Sequence, residues 1–184
     1  MSDVPQMFES ATTFDTPAGL CGLGWSAAGL TRVRPFAESP AKAVHPAAAL
    51  VQESDAPPHI TATIAALRAF LSGEAIGFND VALDFSGISD FEAALYRALR
   101  AVPWGETVSY GDLARRIGAD TGAARAVGVA MGRNPWPLIV PCHRVLTSDG
   151  KLGGFSAPGG TRTKTALLAR EGVHLDGGQL ALFE

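Results

Sequence analysis

Cys21, Leu23 and Trp25 fall on one face of a period-two stretch, Ser26-Ala27-Ala28-Gly29 is turn-like, and Thr31 and Val33 then alternate with Arg32 and Arg34. Successive side chains of a strand point to opposite faces, so this pattern predicts a hairpin. Between Pro35 and Pro58 five prolines interrupt an alanine-rich run, which predicts irregular chain with at most a short helix. Ile60, Ile64, Leu67 and Leu71 recur at helical spacing and stop near Gly73, while Val81, Leu83 and Phe85 alternate with Asp80, Ala82 and Asp84 as in a strand. A boundary is expected at Ser86-Gly87, dividing residues 1–88 from 89–184.

The second segment opens on Ser89-Asp90-Phe91-Glu92, a capping box ahead of a helix whose apolar face is Phe91, Leu95, Leu99 and Val102. Pro103-Trp104-Gly105 stops it. Ser109 can cap a short helix carrying Leu113 and Ile117, and after Gly118 a second helix is expected from about Gly122 to Met131, so the pair predicts a helix-turn-helix. That second helix is nearly all small residues with one long cation, Arg125. Small residues let a backbone approach a partner closely, in a core or on a ligand, and an arginine is seldom buried unpaired. Leu138-Ile139-Val140 reads as an apolar strand leading into Pro141-Cys142-His143-Arg144. Val145 to Leu152 reads as a small hairpin or wing around Ser148-Asp149-Gly150, and a last helix runs from about Arg162 to Glu171.

Composition narrows the function classes. No stretch approaches the roughly 18 apolar residues of a membrane span, and the polar Met1 to Gln6 lacks a secretory pattern, so a cytoplasmic protein is expected. Cys21 and Cys142 are far apart and the four histidines are scattered, which predicts free thiols and no metal or other cofactor. The net charge of −3 argues against a nucleic-acid partner, but its distribution does not: Arg97 to Arg170 holds eleven cations against four acids, and the remainder four cations against fourteen acids. A local basic surplus can supply phosphate contacts or be a solvated face.

Cys142 directly precedes His143, behind prolines at 135, 137 and 141 that stiffen the approach, with Glu171 at a helix end able to orient the histidine. A lone cysteine is more often a buried hydrophobe, and neighbours on extended chain point apart. An ordinary cysteine is only about 3% thiolate at neutral pH, so full ionisation raises a rate roughly 30-fold, about 2 kcal/mol. A nucleophilic role therefore needs positioning and charge stabilisation as well.

From Phe91 to Gly172 the chain resembles the alkylguanine-DNA alkyltransferase family, the methylated-DNA–protein-cysteine methyltransferases. The matching stretches are Val102-Pro103-Trp104-Gly105 through Val108-Ser109-Tyr110, Ala123-Ala124-Arg125-Ala126-Val127-Gly128, Gly132-Arg133-Asn134-Pro135, Ile139 to Val145, and Leu167-Leu168 to Glu171-Gly172. The resemblance implies an α+β protein with a small N-terminal α/β (ribonuclease H-like) domain and a mainly helical winged helix-turn-helix domain. It implies a monomer on double-stranded DNA that moves an alkyl group from O6 of guanine, or O4 of thymine, to Cys142 in one irreversible turnover. His143 would be the water-linked base, Glu171 its orienter, and Asn134 a brace for the turn. Tyr110 and the backbone around Ser156 would hydrogen-bond the guanine at N3 and O6, and the Val145 carbonyl its exocyclic amine. Arg125 would enter the base stack from a helix that Ala123, Ala124 and Gly128 let into the minor groove.

Phe155 stands where some relatives carry tyrosine, and the loop from Ala157 to Gly160 is long for the family. Cys21 has no cysteine partner, so the zinc site of some relatives does not carry over. Three rivals remain in play: a non-catalytic alkyltransferase-like protein, whose members lack the acceptor cysteine; a winged-helix regulator, which needs a polar recognition helix; and a cysteine hydrolase, which would turn over repeatedly.

Overall fold

The structure, a computed structural model, describes residues 9–175; the reading of Met1 to Gln6 lies outside them. The hairpin is part of a larger sheet. Strands β1 (Ser10–Thr16), β2 (Gly19–Ser26) and β3 (Gly29–Arg34) form an antiparallel meander, and β4 (Ala49–Leu50) pairs in parallel with β1, giving the order β3-β2-β1-β4. β1 has no clean alternation because Ala11, Thr12 and Phe14 are all buried and fall on both faces of the strand. The proline-rich stretch holds the four-residue helix α1 (Pro40–Ala43) and a 3-10 turn. Helix α2 (Pro58–Leu71) buries Ile60, Ile64, Leu67 and Leu71, the stripe read from spacing.

The expected strand at Val81 to Phe85 is reduced to a single bridge between Leu30 and Leu83. Asp84 ends it: its carboxylate accepts from the Ser26 hydroxyl and the Ser86 amide, a local alternative to a ladder.

Helix α3 (Asp90–Arg100) starts on the capping box, in which Ser89 accepts from the Glu92 amide and Glu92 reaches back to the Ser89 amide; such a cap contributes about 1 kcal/mol. Tyr96 is buried on this helix with Leu95 and Leu99, and its hydroxyl donates to the Ala130 carbonyl. Ser109 caps α4 (Tyr110–Arg116), which packs against α5 (Ala124–Arg133). The second helix begins two residues later than expected because Thr121–Ala123 forms a 3-10 turn first. β5 (Val108–Ser109) and β6 (Val145–Leu146) pair in parallel, Leu146 bridges Leu152 to form the small wing, and α6 (Thr161–Arg170) closes the fold.

One apolar core runs from the sheet through α2 into α3 and α5. At its centre Trp136 is fully buried, edge-on to Tyr96 at 5.8 Å and to Phe85 at 5.1 Å, pairs that contribute about 0.5–1.5 kcal/mol each beyond area burial. Its Nε1 donates to the Leu30 carbonyl at 2.7 Å, and the Val33 amide donates to the Pro135 carbonyl at 2.8 Å. β3 is thereby tied to the turn that follows α5. No helix among the described residues is long and apolar enough to cross a membrane.

Candidate active site

The residues from Leu138 to Val140 form a tight turn, not the expected strand. Leu138 takes φ +76°, outside the extended region, and Val140 donates back to the Trp136 carbonyl. Asn134 braces this turn from both sides: its Nδ2 donates to the Val140 carbonyl at 2.8 Å and its Oδ1 accepts from the Trp136 amide at 3.0 Å. The Cys142 amide donates to the same Val140 carbonyl, and Cys142–Arg144 then makes one 3-10 turn. The chain here is not extended, so Cys142, His143 and Arg144 are all buried in one region despite being adjacent.

His143 and Glu171 have fully buried side chains, with Nε2 and Oε1 2.7 Å apart. Glu171 accepts three further hydrogen bonds, from Arg144 Nη2 to Oε1 at 2.9 Å, from Arg144 Nε to Oε2 at 2.8 Å, and from the Gly105 amide at 3.1 Å. Arg144 also donates Nη1 to the Val102 carbonyl. Sequence reasoning assigned no role to Arg144; its place in a Cys-His-Arg run was the available signal. Burial works to raise the Glu171 pKa, but the hydrogen bonds and charges of His143 and Arg144 prevail and hold it at about 2. The carboxylate is therefore ionised and accepts four donors, which places the His143 proton on Nε2. Nδ1 is left as a buried lone pair with no hydrogen-bond partner among the described residues. Burial lowers the His143 pKa against the pull of Glu171, so the ring is neutral at neutral pH.

Cys142 lines the inner wall of an open cleft of about 580 Å3 with Tyr110, Arg125, Gly128, Gly153 and Ser156. Burial pushes its thiol pKa up, while hydrogen bonding from Asn134 and the charge of Lys164 pull it down. Tyr110, half-buried, stays a phenol because burial raises its pKa and a charge on Cys142 would raise it further. Arg125 is exposed on α5, on whose flank Ala124 and Gly128 also line the cleft; Ala123 precedes the helix as its N-cap.

Lys164 was missed by sequence reasoning and is fully buried. Its Nζ donates to the Val145 carbonyl at 2.6 Å and sits 5.9 Å from the Tyr110 ring centre. Burial brings its pKa down to about 8, against the opposing charge of Cys142. The signal was its place in the stripe Lys164-Leu167-Leu168. Cys21 lies apart from this chemistry as a buried free thiol on β2. Among the described residues no group of three His, Cys, Asp or Glu could hold a metal ion.

The family model for the DNA-binding domain of 6-O-methylguanine DNA methyltransferase matches residues 90–173. The methylated-DNA–protein-cysteine methyltransferase of Mycolicibacterium paratuberculosis is 50% identical over 108 residues, which span 59% of this chain and 62% of that protein. A DNA base-flipping protein of Thermus thermophilus is 44% identical over 108 residues, 59% of this chain and 70% of that one. The crystal structure of Mycobacterium tuberculosis OGT in complex with DNA superposes with a TM-score of 0.72 at 39% identity, covering 89% of this chain and 93% of that one. The mixed sheet followed by a helical DNA-binding unit is the architecture of those structures. With the buried Cys-His-Arg turn and its glutamate set in that frame, the chain belongs to the methylated-DNA–protein-cysteine methyltransferase family.

Proposed function

We propose that this chain repairs DNA by taking an alkyl group from O6 of guanine onto Cys142 Sγ, once per molecule. The observation that carries the reading is the pairing of a cleft-lining thiol with a buried histidine whose Nε2 is committed to an ionised carboxylate. His143 Nδ1 is then the atom that takes the Cys142 proton, through one bridging water. The thiolate attacks the alkyl carbon, the bond from that carbon to O6 breaks, and the electron pair leaves with the guanine. Tyr110, kept a phenol, hydrogen-bonds N3 as that charge develops, while the proton taken from sulfur leaves His143 Nδ1 through the bridging water to solvent and the departing guanine takes one from solvent, so the loss at sulfur is balanced by the gain at the base. Backbone groups at Ser156 and the Val145 carbonyl hold O6 and the exocyclic amine; Val145 can serve both the amine and Lys164 because a carbonyl has two lone pairs.

The thioether has no leaving group, so turnover ends after one transfer. Raised by burial, the resting thiol pKa keeps Cys142 protonated until substrate arrives, which spares it from oxidation. The target atom is unreachable in a stacked duplex, and extrusion of the nucleotide costs a few kcal/mol. Ala123, Ala124 and Gly128 let α5 enter the minor groove, and Arg125 fills the vacated stack. The chain works as a monomer on duplex DNA in the cytoplasm, with residues 1–88 and 89–184 as its two domains.

Intact-protein mass spectrometry after incubation with an oligonucleotide containing methylated guanine tests this. One methyl group on the peptide holding Cys142, never exceeding one equivalent, is the expected result, and Cys142→Ala should bind the lesion and leave it intact. Repeated turnover, or label on Cys21, overturns the reading. Lesion binding with no transfer by the unaltered chain would favour base flipping alone, the property named for the Thermus relative.

A further inference from the structure

Beside the substrate cleft lies a second one of about 410 Å3, between the edge strand β3, helix α1 and the end of α5, whose lining includes four cations, Arg32, Arg34, Lys42 and Arg133, one acid, Glu38, and Ser156. Its charge is out of keeping with its surroundings. Outside Arg97 to Arg170 the chain carries fourteen acids and only four cations, Arg32, Arg34, Lys42 and Arg68. Arg68 is committed to Glu53 through two hydrogen bonds. The other three all reach this one cleft.

Lys42 is paired with Glu38, but Arg32, Arg34 and Arg133 form no ion pair among the described residues. Arg32 and Arg34 share one face of β3, opposite the buried Val33. Helix α1 is seated close on the sheet: a Cβ on Gly22 would lie 2.1 Å from the Ala43 carbonyl oxygen, so only glycine permits the approach that brings Lys42 to the cleft. Converging cations without partners cost the fold electrostatic energy, and an anionic ligand removes that cost.

Gly132 and Ser156 line both clefts, so the two are neighbours along α5. Arg125 faces the substrate cleft near the start of the helix and Arg133 the basic cleft at its end. Eight residues of helix rise about 12 Å, and a DNA strand advances about 3.4 Å per nucleotide. Resting on the repair reading above, we infer that the basic cleft holds the phosphodiester backbone of the DNA about three to four nucleotides from the flipped base. The N-terminal sheet is thereby part of the DNA interface.

The test uses the full chain and a duplex with methylated guanine at its centre. The affinity of the Arg32→Gln/Arg34→Gln double variant, measured against salt concentration, should lose about two from the magnitude of its log–log slope, close to 0.9 per phosphate contact. Arg32→Lys/Arg34→Lys should keep the slope, which separates charge from packing. Alkylation of Cys142 by free O6-benzylguanine should be unchanged in both. A glutamine variant that reacts normally with the free base and retains the full salt slope overturns the cleft assignment, as does equal loss in the lysine variant. If the unaltered chain does not take the methyl group from the duplex onto Cys142, the repair reading fails instead.

Discussion

Arg144 and His143, adjacent in sequence, hold the same carboxylate oxygen of Glu171, at 2.9 and 2.7 Å. One side chain fixes the charge and the other reads it. The arginine forks across both oxygens and keeps the carboxylate in plane, and this plane sets the direction in which the imidazole presents Nδ1.

Glu171→Gln should therefore do two separable things. It strands the Arg144 charge in the interior, and breaking a buried pair in this way costs about 3–5 kcal/mol, readable by denaturant unfolding. It also frees the imidazole tautomer, so single-turnover transfer should slow by at least about tenfold while the end point stays at one equivalent. Stability against pH carries the sign. The folded carboxylate, at about 2, lies below its ordinary 4.5, so its contribution is complete above pH 4.5 and disappears as pH falls toward 2. Burial also lowers the His143 pKa from 6.5, so protonation adds destabilisation progressively below pH 6.5. An acid unfolding curve for Glu171→Gln that matched the unaltered chain would contradict this account.

Lys164→Met addresses the buried cation beside the sulfur. On the proposed mechanism, loss of its charge should slow transfer at neutral pH on the order of tenfold, because the ammonium favours the Cys142 thiolate. The ammonium has a folded pKa of about 8 against an ordinary 10.5. The folded state thus bears the full desolvation cost below pH 8 and loses it as pH climbs to 10.5. Across that window the unaltered chain should gain stability relative to Lys164→Met, measured as the difference between their unfolding midpoints. Parallel curves would show that the lysine is not desolvated.

Gly153→Ala tests the placement of Tyr110. A Cβ at 153 would lie 2.4 Å from the Tyr110 hydroxyl oxygen, and the ring end can yield only by swinging away. The variant should fold with little change in melting temperature yet react more slowly with both duplex and free O6-benzylguanine, since the donor proposed for N3 is displaced in either case. Loss confined to the duplex would assign the residue to DNA contact.

Local signals were the legible ones. Ser89 and Glu92 are three residues apart, and their mutual hydrogen bonds need nothing from the rest of the chain, so the start of α3 could be read directly. The stripe of α2 was equally plain because one side of it packs and the other does not. Apolar runs misled where side-chain chemistry or backbone strain broke a strand, as at Asp84 and Leu138. The relation of Glu171 to His143 spans 28 residues; the end of a helix made the glutamate a candidate, and resemblance to a family gave it the role. Lys164 was passed over because charge usually lies outside a helix, although its place in the stripe with Leu167 and Leu168 put it on the packed face; its partner, the Val145 carbonyl, lies 19 residues away. Arg32 and Arg34 looked like the outward half of a strand, and the cleft they share with Arg133 exists only once β3 is tied to the turn after α5.

That tie, Trp136 to Leu30 and Val33 to Pro135, also has a genetic consequence. In a screen for lost repair, substitutions at Leu30 that displace its backbone carbonyl should score beside those at Cys142, because the strand acts as the fixed edge against which the proposed nucleophile is aligned. Such alleles would be recognisable by their rescue: a second change that restores the packing of Trp136 should return activity to them, and no second change near the thiol should do so.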